Sequence, residues 1–179
     1  MSRPRVLYVI ICAAGPARDA VRLVRAAKEQ DWDVCVIATP AAVDGQFIDA
    51  QELESLSGRP VYSTWRRSGE EKRIPPADAV IVAPMTMNTA NKWAAGIADT
   101  YALGALTETV GLGLPVVALP CWSTALDVHP ATRRAVEVLR STGVRVLYGE
   151  GQWMPHAPDA GGEWLDSYPW ELALEAAST

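Results

Sequence analysis

Four short stretches of the chain place small or hydroxyl-bearing residues just after an apolar run: Cys12 to Pro16, Thr39 to Ala42, Pro84 to Thr89 and Pro120 to Thr124. Such residues leave backbone amides open to close approach, and converging amides hold an anion such as a phosphate. Thr39 adds a hydroxyl at the end of its run, and the turn at Ala13, Ala14 and Gly15 adds amides without bulky side chains. Asn88 and Thr89 stand between the run ADAVIVAP and a helical pattern, where they can cap the helix N-terminus. For Asn88 a cap and a ligand contact are compatible, because a capped N-terminus is also an anion site. The chain has two histidines. His129 precedes Pro130 at the head of a helical pattern, where a His-Pro pair ordinarily makes a turn. His156 lies in a Trp- and Gly-rich tail that can fold over the four stretches as a lid. It, or Cys121, is a candidate base there. Neither GxGxxG nor GxxxxGK[ST] occurs, which disfavours a standard dinucleotide fold and a P-loop. No Cys/His cluster has metal-ligand spacing.

The elements that must position these residues read from the hydrophobic pattern. Arg5 to Cys12, Trp32 to Thr39, Ala77 to Pro84, Pro115 to Pro120 and Val144 to Tyr148 are continuous apolar runs, as expected of strands buried on both faces. Between them, Ala17 to Gln30, QELESLSG, roughly Thr89 to Val110, and Pro130 to Ser141 carry helical patterns. Val61 to Pro76 is polar and turn-rich, hence surface loop. The alternation predicts an α/β fold, a three-layer doubly wound parallel sheet. Right-handed crossovers bring the carboxyl ends of the strands, and so the four stretches, to one edge. Residues 1–150 read as the α/β domain and 151–179 as an arm of the same domain, partly irregular, with a final helix near Trp170 to Ala177.

Of the 179 residues 49% are hydrophobic and 21% charged, with mean hydropathy +0.04, a composition of globular proteins rather than disordered ones. No apolar run reaches the roughly 18 residues of a membrane span, and the arginine-led apolar N-terminus reads as a first strand rather than a signal peptide. A net charge of −5 with no basic stripe argues against nucleic acid as a partner. Three cysteines far apart, two of them in strand-like runs, point to a reduced, cytoplasmic protein.

The segment PMTMNTANKWAAGIADTYALGAL, residues 84–106, resembles the signature of the homo-oligomeric flavin-containing cysteine decarboxylases, which include phosphopantothenoylcysteine decarboxylase. Pro84, Asn88, Thr89, Lys92, Ala95, Gly96, Ile97 and Asp99 fall in register with that signature, and PVVALPCWSTALDVHPATRRAVEVLRSTGVRVL resembles the family's last strand, substrate loop and final helix. The resemblance implies a Rossmann-like flavoprotein holding FMN at the strand ends through Ala14, Gly15, Thr39, Pro84, Met85, Thr86, Asn88, Thr89 and Ser123. It implies Asn88 beside the flavin and a substrate carboxylate, with Asn88, Cys121 and His156 as the catalytic candidates. Met85 and Met87 read either as flavin-packing residues or as core. A small-molecule or peptide-terminal substrate and a homotrimer or dodecamer are implied as well. AAGIADTYALGAL serves either as the subunit interface or as a core helix. Three departures stand out, one of them the first loop, which reads CAAGPARD where the family's is rich in Gly and Ser. The family's histidine before the signature strand is absent from GEEKRIPPADA, and its substrate-loop Asn is replaced by Ser123. Three functions therefore stay open: a flavin-dependent decarboxylase, a non-catalytic flavin-binding or regulatory subunit, and a flavin prenyltransferase.

Overall fold

The computed structural model describes residues 3–71, 74–160 and 162–178. Strands β1 (Val6–Ile11), β2 (Asp33–Ala38), β3 (Ala79–Thr86), β4 (Val116–Cys121) and β5 (Arg145–Val146) form one parallel sheet in the order β2-β1-β3-β4-β5. All six residues of β1 and of β4 are buried, because helices cover both faces of the sheet and every side chain of a strand meets apolar neighbours. The expected three-layer doubly wound architecture is what the chain adopts.

The first helix begins later than its apolar pattern suggested. Pro16 sits in the opening turn of a 3-10 segment, Gly15–Asp19, and α1 (Val21–Glu29) follows, burying Leu23, Val24 and Ala27. After β2 a short helix follows at once, α2 (Pro40–Asp44), with Thr39 before it in extended conformation. In α3 (Ala50–Ser57) the Asp49 carboxylate accepts from Glu52 N at 2.9 Å, and Gly58, at φ 73, ends the helix in the left-handed region. The long helix expected over Thr89 to Val110 is two helices, α4 (Met87–Ala94) and α5 (Tyr101–Gly111). Gly96, at φ 73, turns the chain out of α4, Lys92 Nζ donates to Asp99 Oδ2 at 2.6 Å across the connection, and Thr100 Oγ1 accepts from Leu103 N to cap α5. AAGIADTYALGAL thus divides: Ala102, Leu103, Ala105 and Leu106 are core, while 95–99 are exposed.

After β4 come α6 (Thr124–Asp127) and α7 (Pro130–Ser141). Pairing of β5 is short, and Arg140 Nη2 donates to the Val146 and Tyr148 carbonyls at its end. The arm is more regular than expected, holding α8 (Gly162–Asp166) and α9 (Trp170–Ser178). Trp153, Tyr168, Trp170 and Leu174 join the same buried cluster as the strands, and α9 packs on α1, β3 and β4. Tyr62, expected in a surface loop, bridges Ile37 at the sheet edge; Lys72 and Arg73 of that loop lie outside the described residues. Among the described residues no helix is long and apolar enough to cross a membrane.

Candidate functional site

In this strand order the chain winds from β1 outward to β2 and then, from β3 on, the other way, so the topological switch point lies between the carboxyl ends of β1 and β3. Backbone hydrogen bonds tie the tips there together. Thr39 N donates to Ile11 O at 2.9 Å and Cys12 N to Pro84 O at 3.1 Å. On the other side Met85 and Thr86 of β3 pair with Pro120 and Cys121 of β4. The four stretches marked out by their small and hydroxyl residues therefore form one continuous edge.

The residues along that edge differ in what they offer. Thr39 precedes α2 in extended conformation, but its hydroxyl makes no cap bond: Oγ1 is buried without a hydrogen-bond partner among the described residues. Burying a hydroxyl unpaired is costly, so such an atom marks a place where another molecule completes the pairing. Capping of α4 falls to Thr86, whose Oγ1 accepts from Thr89 N at 3.3 Å, and not to Asn88 or Thr89. Strand β3 runs two residues further than its apolar pattern, which moves the cap onto Thr86. Asn88 is thereby released: it is exposed in the first turn of α4 and its side-chain amide has no partner among the described residues. Thr89 turns inward, its Oγ1 accepting from the Thr86 hydroxyl at 3.1 Å and from the Cys12 thiol at 3.3 Å. Met85 is fully buried within β3, a core residue, and Met87 is half-buried at the start of α4. Pro84 is also buried, with its carbonyl taken by Cys12.

At the tip of β1, Ala14 and Gly15 open the 3-10 segment, and the Ala14 carbonyl accepts from Ala17 N at 2.9 Å. Gly15 has a second reason to lack a side chain. A Cβ there would stand 2.6 Å from Leu165 Cδ2 of α8, so the arm packs directly on this turn. At the tip of β4, Ser123 precedes α6 with its hydroxyl uncommitted to a cap. Cys121 is 7% exposed, and burial first, then the neighbouring Cys12, pushes its thiol up to about 12. A thiol held protonated at neutral pH is no base, which removes Cys121 from that role.

The two histidines separate. His129 accepts from Ala131 N at 3.1 Å through Nδ1, capping α7 with Pro130 in its first turn, as the His-Pro pair suggested. His156 is brought to the β4 tip: it bridges Ser123 in parallel register, and its carbonyl accepts from Thr124 N at 2.7 Å. Its ring lies 4.0 Å from that of Trp164.

Sequence reasoning missed a second layer beneath this edge. Asp127 accepts from Trp122 Nε1 at 2.9 Å and from the Tyr148 hydroxyl at 2.8 Å, which locks the loop after β4. The fully buried Tyr168 hydroxyl donates to the carbonyls of Leu119 (2.8 Å) and Pro120 (3.1 Å) and ties the arm to β4. The density of Trp and Tyr in the tail hinted at the second contact; nothing in the pattern signalled the first. Separately, a cleft of about 410 Å³ opens between α5 and the loop before β3, lined by Tyr62, Trp65, Glu70 and Tyr101 among others; none of its lining residues belongs to the four tips.

A model of the flavoprotein family matches residues 1–162. The bifunctional coenzyme A biosynthesis protein CoaBC of Mycolicibacterium smegmatis is 33% identical over 152 residues, which are 82% of this chain and 35% of that protein. The chain thus spans about a third of the length of the curated relatives it matches first. Among solved structures, the FMN-dependent cysteine decarboxylase SpaF superposes with a TM-score of 0.67 at 23% identity, covering 98% of each chain. The dodecameric FMN-dependent UbiX-like decarboxylase of Escherichia coli O157:H7 does so with a TM-score of 0.65 at 18% identity, over 79% of this chain and 78% of that one.

Proposed function

The chain belongs to the flavoprotein family, and on that footing we propose that it holds FMN at the β1–β3 switch point and uses it to oxidise and decarboxylate a substrate ending in a cysteine-type thiol and carboxylate. The observation that carries this reading is the buried Thr39 hydroxyl, without a partner among the described residues, on the edge that also carries the turn at Ala14 and Gly15 and the start of α2. An anionic phosphate there accepts from the hydroxyl and from the amides, so the residues present fit FMN. When bound, FMN supplies a two-electron acceptor. The chain's own contribution is placement. Asn88, exposed beside the Thr86 cap, donates from its amide to the substrate carboxylate, and Ser123, two residues beyond β4, has a hydroxyl uncommitted to a cap. The arm, part of the same domain, packs on the edge at Gly15 and at Thr124 and limits the water that reaches it.

The protein works as a homo-oligomer, a trimer or dodecamer, with Ile97, Leu126 and Val128 among its exposed large apolar residues. Its three unpaired, buried cysteines suit the cytoplasm. One observation favours a second reading, a flavin-binding subunit without turnover: GEEKRIPPADA carries no histidine. Purified protein separates the two. A yellow protein whose flavin absorbance bleaches anaerobically on adding a peptide with a C-terminal cysteine, with carbon dioxide released, is the enzyme. A yellow protein inert to such peptides is the binding subunit, and a colourless one with no affinity for FMN overturns both readings.

A further inference from the structure

The arm reaches the edge at two points on either side of β3. His156 and Ser123 pair at the β4 tip, and Leu165 of α8 packs on Gly15 at the β1 tip. In the sheet order β3, which ends at Thr86, lies between the β1 and β4 tips that these two points reach. Bridge partners present their side chains to the same face, so the His156 ring shares the face of the Ser123 hydroxyl. The Trp164 ring packs against the imidazole, tilted by 46° with centroids 4.0 Å apart, Trp164 contacts Tyr168, and Tyr168 is tied to β4 through two carbonyls. The imidazole is therefore fixed to the same strand that bounds the site. Its Nδ1 lies 2.8 Å from the Ala157 carbonyl. A carbonyl only accepts, so this contact suits a proton on Nδ1, and Nε2 has no partner among the described residues.

Resting on the function proposed above, we propose that His156 is the general base of the reaction, supplied in cis by the C-terminal arm. In this step the S–H bond of the substrate thiol breaks, its electron pair stays on sulfur, and the proton passes to Nε2. The resulting thiolate is the electron-rich form that oxidation requires. No other imidazole at the four tips can do this, since His129 spends Nδ1 on its cap at α7. Three titratable groups near the ring, among the described residues, are otherwise engaged or buried. Burial keeps Cys121 protonated, Asp127 is held by Trp122 and Tyr148, and Asp166 pairs with Arg18 at 3.5 Å.

The test uses FMN-loaded protein and a peptide ending in cysteine, comparing wild type with His156→Gln across pH. The variant is expected to bind FMN as wild type does and to bleach about 10²- to 10⁴-fold more slowly near neutral pH, the usual contribution of a general base. That deficit is expected to shrink as pH passes the thiol's own value of about 8.5, where the thiolate forms unaided. Equal rates at all pH values, or a deficit that pH does not change, overturn the proposal, since a merely structural role gives the latter. Nitrogen NMR of wild-type imidazole provides a readout independent of the variant's folding. Protonation of Nε2 on adding the peptide supports the step, and an unchanged Nε2 signal overturns it. A wild type inert to the peptide overturns the function beneath the proposal, whereas an active wild type matched by His156→Gln overturns the proposal alone.

Discussion

Replacing Thr39 by valine separates a ligand-holding hydroxyl from a structural one, because the two roles move different observables in opposite directions. The Oγ1 atom is buried with no partner, and it makes no cap bond to α2, so valine removes no hydrogen bond from the protein itself. An unsatisfied buried hydroxyl costs about 1–3 kcal/mol, and an isosteric methyl relieves much of that. FMN-free Thr39→Val is therefore expected to be more stable than wild type by about 1 kcal/mol, which at this chain length raises Tm by about 2–4 °C. Affinity moves the other way. A hydrogen bond to a charged acceptor is worth about 1.5–3 kcal/mol, and at 1.4 kcal/mol per factor of ten the Kd for FMN rises about 10- to 150-fold. Thermal melting of FMN-free protein and quenching of flavin fluorescence on titration measure the two effects. A variant with a lowered Tm and an unchanged Kd refutes the reasoning: the hydroxyl then has a partner within the fold, and the phosphate is held elsewhere.

Tyr168→Phe removes the one donor shared by the Leu119 and Pro120 carbonyls, and is expected to destabilise the protein by about 1–3 kcal/mol, visible in denaturant unfolding, with looser attachment of the arm read by limited proteolysis. All three thiols are expected to be silent to a thiol reagent in native protein near pH 8 and to react together once guanidinium unfolds it. Each is buried, with Cys35 pushed up to about 11 and Cys121 to about 12, and native labelling of Cys121 contradicts that burial. Stability is expected to fall as pH drops below about 4, the ordinary carboxylate range. Asp33 is held low by its bonds to Arg59, and Asp78 by the Val6 amide first and then Arg3. A carboxyl depressed in the folded state stabilises above its unfolded value and loses that contribution as acid protonates it. Asp33→Asn and Asp78→Asn should each flatten the acid limb of a Tm-against-pH curve, and an unchanged limb in both variants speaks against these pairs.

Most of the sheet was legible because strand positions buried on both faces must be apolar, and Val6–Ile11, Val34–Ala38 and Val116–Cys121 satisfy that requirement without help from neighbours. The edge was legible for the related reason that parallel strands end together and leave small residues where backbone must meet a ligand. The helix boundaries were less legible. Asn88 looked like a cap because the apolar run stops at Pro84, but pairing with Cys121 extends β3 to Thr86 and hands the cap to that residue. The break between α4 and α5 depends likewise on a Lys92–Asp99 pair and a single left-handed glycine, neither of which disturbs the apolar pattern.

By itself, then, the amino-acid order determined the layers, the strands and the four tips, since these follow from local periodicity and from which residues tolerate burial. Only the tertiary structure decided what meets at those tips. His156 and Leu165 stand 33 and 150 residues along the chain from Ser123 and Gly15, and what joins them is an arm without hydrophobic periodicity, anchored by the contact of Tyr168 with β4. Contacts of that kind depend on chain closure over long separations, where the free energy lies in packing complementarity rather than in any local preference.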